Sequence, residues 1–441
     1  MKFRKRKKNE RGVALMLVLS AITVITVAGI EFAYNTNVNY HLARNHLDRL
    51  KASYLAKSAF HFGLLELKYD RVFRQIVEQQ NLGSLLGASA QLPLCKQFPL
   101  STGLLRAVFL GGGGLGEGAD TEDATASAEE PSLETGGEDF PKVTSLSDEQ
   151  SAADFLSFEG DFDIDCADES NKLNLNVFAK LKASAGSSSS LGTSQGISEY
   201  DLHKQILTSF LQKPEYELLF EDSEIPPVEI VRNIADWTDE NRDINEYGGS
   251  TGGAESSLYE RNSRKYKVKN TSFTTIDEVY QVEGVNEKWF EPLKSNFTIY
   301  GDGKINICSV DEGLVQGIIK TFVETTPGVP PVRLADEEVM TRLVSSIQDA
   351  CSAGSAGDAL VAEVTDAFWG ALSVDQEVAG NVDAESAKAK ESFKNLITAT
   401  GRYYTLISTG QVADVIVRVK AVVDVKESSP DKWPLLYWKV Y

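Results

Sequence analysis

RGVALMLVLSAITVITVAGIE, residues 11–31, decides the architecture of this chain. Residues 13–30 carry no charged side chain, and Glu31 ends the apolar run. A run of this length reaches the lower limit for a helix that spans a membrane. Residues 1–12 contain seven Lys or Arg and one acidic residue, so the positive-inside rule predicts that they lie in the cytoplasm. We therefore expect one membrane-spanning helix, with the rest of the chain on the opposite side.

Three interpretations of this N-terminus compete. A secretory signal peptide needs a cleavage site of small residues, and the residues that follow the apolar run, 31–35, supply it poorly. A plain single-span anchor is the second interpretation. The third rests on Gly12, which stands between the basic leader and the apolar run, where a type IV prepilin peptidase cuts. Cleavage there would keep the apolar segment and leave Val13 as the new N-terminus.

The segment after the apolar run favours the third interpretation. No proline occurs between Phe32 and Tyr69, and apolar residues such as Leu42, Leu55 and Leu64 recur at helical spacing. This pattern predicts one continuous helix over residues 13–70, a stalk of roughly 80 Å at 1.5 Å per residue. A helix that is half in lipid and half amphipathic suits side-by-side packing into a filament.

Composition limits the remaining choices. The chain has 441 residues, of which 42% are hydrophobic and 24% charged, which is typical of a globular protein. Its net charge is −20 although the first residues are basic, so the rest is acidic enough to exclude nucleic-acid binding. Its few cysteines form no CxxC pair and leave three disulfide pairings open, with a Cys166–Cys308 bridge conceivable but not selected: Cys95, Cys166, Cys308 and Cys351.

Two motifs that are typical of enzymes occur in the sequence, but the residues around them do not fit the structure that each motif requires. Residues 111–116 match a GxGxxG nucleotide loop but run into an acidic stretch that would repel phosphate, so we expect a disordered acidic loop over 111–150. GxSxG occurs at 192–196 and 248–252, where Ser-rich and Gly-rich composition predicts no strand–turn–helix. Histidines that could act as a base are scarce, and no catalytic constellation emerges. We expect a protein that is not an enzyme.

Beyond the stalk, hydrophobic patterns predict a mixture of strands and helices, and hence an α+β fold. The segment 184–197 is expected to be a flexible spacer, and 276–293 to form two short helices around Gly284. The predicted strands are 103–110, 158–165, 172–176, 403–408, 412–425 and 435–440, with a hairpin over 297–307, and the other predicted helices are 199–212 and 229–237.

Three stretches in this order, behind this leader, resemble the general secretion pathway protein K family, a minor pseudopilin of the type II secretion system. The first is Arg11–Leu17 with the stalk that follows. The second is DESNKLNLN at 168–176. The third begins with ADWTD at 235–239, includes FTTIDEV at 273–279, and ends with KINI at 304–307.

The resemblance implies an α+β fold with a long transmembrane and stalk helix, a pilin-like α/β domain with an antiparallel sheet, and a large inserted α-helical domain of SAM-like or helix-hairpin type. It also implies a place at the filament tip. Most pilins carry Glu at position five of the mature chain, whereas this chain has Leu17 there. The implied divisions are a basic prepilin leader at 1–12, the transmembrane and stalk helix at 13–70, the α/β domain at 71–176 and 301–441, and the insertion at 177–300.

Oxygen-bearing side chains cluster at the start of the third stretch. Asp236, Asp239, Asn241 and Asp243 lie within eight residues, and Glu255 follows a Gly-rich loop. Calcium prefers six to eight oxygen ligands and tolerates irregular loops, although the spacing is not that of an EF-hand. The family is described as calcium-binding in this insertion, so calcium is the expected cofactor. The alternative is a solvated acidic loop without an ion.

The resemblance implies a structural subunit that helps to initiate or cap the pseudopilus and supports export of folded proteins across the outer membrane. It would be a single-pass inner-membrane protein with its body in the periplasm. The expected partners are other minor pseudopilins through the stalk and the α/β body, the prepilin peptidase, and the secretin or secreted cargo. The alternatives are a membrane-anchored periplasmic enzyme, a calcium sensor, or a minor pilin of an adhesion system.

Overall fold

The structure is a computed structural model. It describes residues 11–79, 93–109, 158–181, 198–246, 249–260, 266–353, 355, 357–374, 384–426 and 430–441. The predicted acidic loop, the Ser-rich spacer and the leader up to residue 10 lie outside these residues, as does the GxGxxG segment.

One helix dominates the molecule. Helix α1 runs from Arg11 to Gln79 without interruption, which corresponds to a rod of about 100 Å. Its most apolar window has a mean hydropathy of 2.2 and buries nothing against the protein, so by length and composition it can cross a membrane. Only from about residue 48 does the helix contact the body. The predicted combination of an apolar and an amphipathic part in one helix is confirmed.

The sheet that receives this helix has four antiparallel strands in the order β1-β8-β9-β10. Strand β1 covers Asp161–Asp168, and the long hairpin β8 (Tyr403–Val412) and β9 (Val415–Asp424) is followed by β10 (Leu435–Val440). Sequence patterns predicted all four strands, since each alternates or is strongly β-branched.

Small residues bring α1 close to the sheet. Ala52, Ala56 and Ala59 are fully buried on the helix face that lies over β8 and β9. A Cβ atom added at Gly410 in β8 would lie 2.2 Å from the backbone oxygen of Ala52, so glycine is required at this crossing. Larger side chains such as Phe60 and Leu67 belong to the core further along the helix.

A short segment covers the outer side of β1. Helices α2 (Leu94–Gln97) and α3 (Thr102–Phe109) lie along this strand. The strand predicted over 103–110 is therefore wrong in part, because Thr102–Phe109 is helical. A short apolar run satisfies either secondary structure, and here it packs its apolar side against the sheet instead of joining it.

Between β1 and β8 lie residues 169–402, so the insertion into the sheet is longer than the predicted 177–300. Its first part contains the predicted helices α4 (Glu199–Leu211) and α6 (Pro227–Thr238). The remaining α-helices among its described residues are α5 (Glu217–Phe220), α7 (Ser256–Tyr259), α8 (Glu287–Leu293), α9 (Glu312–Thr325), α10 (Glu337–Ser352), α11 (Gly357–Ser373) and α12 (Ala384–Leu396). The α+β class with a large helical insertion is thus confirmed.

Short strand pairs connect the parts of the insertion. Strand β2 (Leu173–Asn174) pairs in parallel with β5 (Phe297–Thr298). Strand β6 (Ile305–Asn306) pairs in parallel with β7 (Ile397–Thr398). The hairpin predicted over 297–307 is wrong, because β5 and β6 do not pair with each other. Each pairs with a strand from a distant part of the chain.

Two disulfides cross-link the body. Cys95 is bonded to Cys166, which joins α2 to β1, and Cys308 is bonded to Cys351, which joins the start of the helical cluster to α10. The sequence left three pairings open, and the structure does not contain the Cys166–Cys308 bridge. Each bond joins cysteines of the same hydrophobic core.

Candidate metal centre

Helix α6 supplies two acidic residues from its C-terminal end. Pro227 at the first helical position starts the helix, and Asp239 caps its end by donating its backbone N–H to the oxygen of Ala235 at 3.0 Å. Asp236 and Asp239, three residues apart, therefore lie on one face. Both are buried. The helix dipole disfavours negative charge at this end, so two ionised carboxylates here need positive compensation.

A hairpin brings in the third acidic residue. Strands β3 (Asp243–Glu246) and β4 (Gly249–Ala254) are antiparallel and return the chain to the end of α6. Glu255, directly after β4, is 2% exposed, and its backbone N–H donates to the oxygen of Arg242 at 3.3 Å. One ligand oxygen from each of Asp236, Asp239 and Glu255 lies within 4.8 Å of the others.

Two neutral side chains hold the carboxylates in place. The hydroxyl of Tyr200 in α4 donates to Oδ2 of Asp239 at 2.9 Å. The amide of Asn270 donates to Oε2 of Glu255 at 3.0 Å and to the backbone oxygen of Asn241. Sequence reasoning missed both residues. Asn270 has a left-handed backbone (φ 50°), a conformation in which asparagine is enriched. A single sequence does not show which asparagine adopts it.

The electrostatics of the cluster favour a cation. Burial, followed by the charges of Asp236 and Asp239, raises the pKa of Glu255 to about 8. Burial and the neighbouring Asp239 likewise raise the pKa of Tyr200. Within the described part of the chain, Oε1 of Glu255 is buried and accepts no hydrogen bond. Carboxylate oxygens gathered in this way fit a hard divalent cation such as calcium.

The remaining predicted ligands lie beside the cluster. The side-chain oxygen of Asn241 accepts the backbone N–H of Asp243 at 2.8 Å, which fixes the loop but occupies one lone pair of that oxygen. Asp243 is exposed, although its charge contributes to the raised pKa of Glu255. The structure therefore gathers Asp236, Asp239 and Glu255, and leaves Asn241 and Asp243 at the rim.

The predicted processing site lies at the start of α1. Gly12 and Val13 have helical backbone, and Leu17 is 65% exposed one turn further on. The leader that a peptidase would recognise lies outside the described residues, so cleavage stays a prediction.

One GxSxG segment, 192–196, also lies outside the described residues. The other overlaps β4 (Gly249–Ala254), so its Ser250 lies inside a hairpin strand and not in a turn between a strand and a helix.

The fold and the cluster define a class: a pseudopilin-like protein whose membrane-length helix packs on an antiparallel sheet that carries a large helical insertion. The family model of type II secretion system protein K matches residues 171–302, the first part of that insertion. Over these residues the chain is similar to the type II secretion system protein K family of minor pseudopilins. The resemblance drawn from the sequence is confirmed.

Other comparisons add little. No curated protein sequence matches the chain. Among solved structures, the chain is similar to one chain of the GspK-GspI-GspJ complex from the enterotoxigenic Escherichia coli type 2 secretion system. The TM-score is 0.40 and the sequence identity 16%, over 64% of this chain and 80% of that chain. This likeness is too distant to carry a conclusion by itself.

Proposed function

We propose that this chain is processed after Gly12, remains in the inner membrane by its single apolar helix with its body in the periplasm, and helps to initiate or cap the tip of a pseudopilus. In this role it supports export of folded proteins across the outer membrane. It acts as a structural subunit and not as an enzyme. The observation that carries the proposal is the unbroken helix α1, exposed and apolar at one end and packed on the sheet at the other.

Leu17 supports the place at the tip. An ionised carboxylate in lipid costs several kcal/mol unless it is paired. In a filament, the Glu of an ordinary subunit is thought to meet the N-terminal amine of its neighbour. Because Leu17 carries no charge, this subunit needs no neighbouring amine to pair with at this position, where all of α1 is exposed in the single chain. A first or terminal subunit meets this condition.

The proposed partners are other minor pseudopilins, which contact α1 and the body. The solved structure to which the chain is similar is a complex of GspK with GspI and GspJ. The prepilin peptidase acts on the leader. The secretin channel or secreted cargo would meet the helical insertion.

We also propose that Asp236, Asp239 and Glu255 hold a calcium ion, with Asn241 and Asp243 contributing from the rim. Calcium would supply positive charge that compensates the buried carboxylates. The residues around the site belong to α4, α6, the β3–β4 hairpin and the segment of Asn270, so the ion would tie four parts of the insertion together. This role is structural.

The test is the intact mass of the full chain isolated from its own membranes. We expect a chain that begins at Val13, and we expect a G12V variant to keep Met1 because the bulkier residue blocks the cut. G29A is the matched control, since Gly29 lies in the same helix with no atom within 4 Å of an added Cβ. A chain that begins at Met1, or beyond Ala33, overturns the proposal and favours an anchored enzyme or a sensor.

A further inference from the structure

Strand β10 forms an open edge of the four-stranded sheet. Arg418 and Tyr441 exchange two backbone hydrogen bonds, at 2.8 and 2.9 Å, beside the last residues of the pair. In an antiparallel ladder such hydrogen-bonded pairs alternate with pairs that exchange no hydrogen bond. Val440 and Trp438 belong to pairs of the second kind, so their backbone N–H and C=O groups point away from β9. In the part of the chain that the structure describes, no strand lies on their outer side.

The opposite edge of the same sheet is closed. The backbone N–H of Ile164 in β1 donates to the oxygen of Leu100 at 3.2 Å, and Ser101 bridges to Asp163. The Cys95–Cys166 disulfide fixes this covering segment. Proteins usually protect edge strands in such ways, because an open edge is a template for another strand. Among the residues that the structure describes, the contrast identifies β10 as the uncovered edge.

One face of β10 is apolar. Trp438 and Val440 lie on the side of α1 and are 38% and 43% exposed. The Trp438 ring packs edge-on against Phe60, with 5.0 Å between the ring centroids. This packing fixes the position of the tryptophan and leaves part of its ring open at the edge of the sheet. An apolar side chain of an added strand would complete this surface.

The other face of β10 carries Lys439, which lies over the ring of Tyr441 and beside Lys420 of β9. Lys439 is paired directly with Lys420 of β9, and like charges in such cross-strand positions are destabilising. Burial is the main cause that lowers the pKa of Lys420; the charges of Glu169 and Asp277 oppose this shift, and those of Lys172 and Lys294 add to it. Among the described residues, neither Lys420 nor Lys439 forms an ion pair. A carboxylate of a partner would supply the opposite charge beside these two lysines, although the chain as a whole has a net charge of −20.

We propose that the open edge of β10 binds an extended, acidic segment of another protein as an added strand. Its backbone pairs with Trp438 and Val440, its apolar side chains cover Trp438, and its carboxylates lie beside Lys420 and Lys439. Main-chain pairing of this kind supplies affinity, and the alternating side chains supply specificity. The proposal does not depend on the assignment as a pseudopilin.

The test uses the full chain in detergent and a short blocked peptide of alternating Glu and Val. We expect binding by titration calorimetry and slower hydrogen exchange at the amides of Trp438 and Val440. V440P should weaken binding about five- to tenfold, because it removes one outward N–H without breaking a bond to β9. V440T is its matched control and keeps that N–H. K439Q should weaken binding about two- to fivefold and reduce its salt dependence.

Several results would overturn the proposal. A matched peptide of alternating Lys and Val that binds equally well would remove the charge argument, and no binding of the acidic peptide would remove the site. Unchanged affinity of a folded V440P variant, checked by circular dichroism, would exclude strand addition. Concentration-dependent self-association that V440P abolishes would assign the edge to a second copy of this chain.

Discussion

At the scale of single residues, the insertion depends on buried carboxylates. Asp236, Asp239 and Glu255 are all nearly inaccessible, which is costly for ionised groups without a cation. The residue types and their order in the chain were enough to predict this cluster. Its members were not fully predictable, since Tyr200 and Asn270 come from distant segments and carry no ligand pattern of their own.

We predict that E255Q abolishes stabilisation by calcium. Calcium in excess over its dissociation constant should raise the melting temperature of the wild-type chain by mass action, and chelator should reverse this shift. The variant should melt at the same temperature with and without calcium, because it lacks one of the three buried charges. E260Q is the control, because the exposed Glu260 is not among the assigned ligands. If E255Q keeps the full calcium shift, the assigned ligands are wrong.

A second buried acid lies on the stalk. Oε2 of Glu66 is buried without a hydrogen-bond partner among the described residues, and burial, then the charge of Asp70, raises the pKa of Glu66 to about 7. The folded state therefore retains this proton between the ordinary pKa of 4.5 and about 7, where the unfolded chain has lost it. The stability that it contributes is complete below pH 4.5 and is lost as the pH rises to about 7.

We predict that E66Q flattens this pH dependence and stabilises the protein above pH 7 by about 1–3 kcal/mol. The gain should disappear near pH 4.5, where the native Glu66 is also neutral in both states. Denaturant unfolding at several pH values measures the effect, and E217Q, at an exposed position, is the control. Equal stability of E66Q and the wild type at pH 8 would contradict the prediction.

At the scale of elements, local pattern decided most of the strands and helices. Strands β8, β9 and β10 and helices α4 and α6 follow alternation or helical spacing in the sequence, and each forms as predicted. The segment Thr102–Phe109 did not, because a short apolar run fits both a strand and a helix. What settles it is the edge of β1, which the helical segment covers from the side.

The disulfides provide a prediction at this scale. Replacing Cys95 and Cys166 together with Ser should destabilise the sheet core by about 2–4 kcal/mol, because the bond closes a loop with a sequence separation of 71 residues. The pair Cys308 and Cys351, separated by 43 residues, should give a loss of the same order in the helical core. Denaturant unfolding of the two double variants, each with and without reductant, measures both effects. Once Cys95 and Cys166 are replaced, reductant should no longer destabilise the sheet core, and the same holds for Cys308, Cys351 and the helical core. A remaining effect of reductant on that core would show a different pairing.

At the scale of the whole molecule, two hydrophobic regions meet at a polar junction. One region lies within the insertion, and the other lies between α1 and the sheet. Glu169 stands between them: its carboxylate accepts hydrogen bonds from Thr405 in β8 at 2.6 Å and from Thr298 in β5 at 2.5 Å. Asp168 accepts a further bond from Asn306 at 3.2 Å.

We predict that E169Q weakens the coupling of the two regions. The amide can still form hydrogen bonds with the two threonines but loses the charge that pairs with Lys172 at 2.6 Å, so the variant should lose about 1–3 kcal/mol. Scanning calorimetry should show a broader transition, or two, where the wild type shows one. E312Q, an exposed change in the insertion, serves as the control. One sharp, unshifted transition in E169Q would show that the junction does not couple the two regions.

The sequence by itself determined the membrane-length helix, the acidic character of the body, the family resemblance and the acidic residue types of the candidate site. These depend on composition and on residues that are neighbours in the chain or along one helix or strand. Only the tertiary structure decided the cysteine pairing, the parallel partners of β5 and β6, the contribution of Tyr200 and Asn270, and the open edge of β10. Each of these depends on which distant segments meet, and that is set by how the whole core packs.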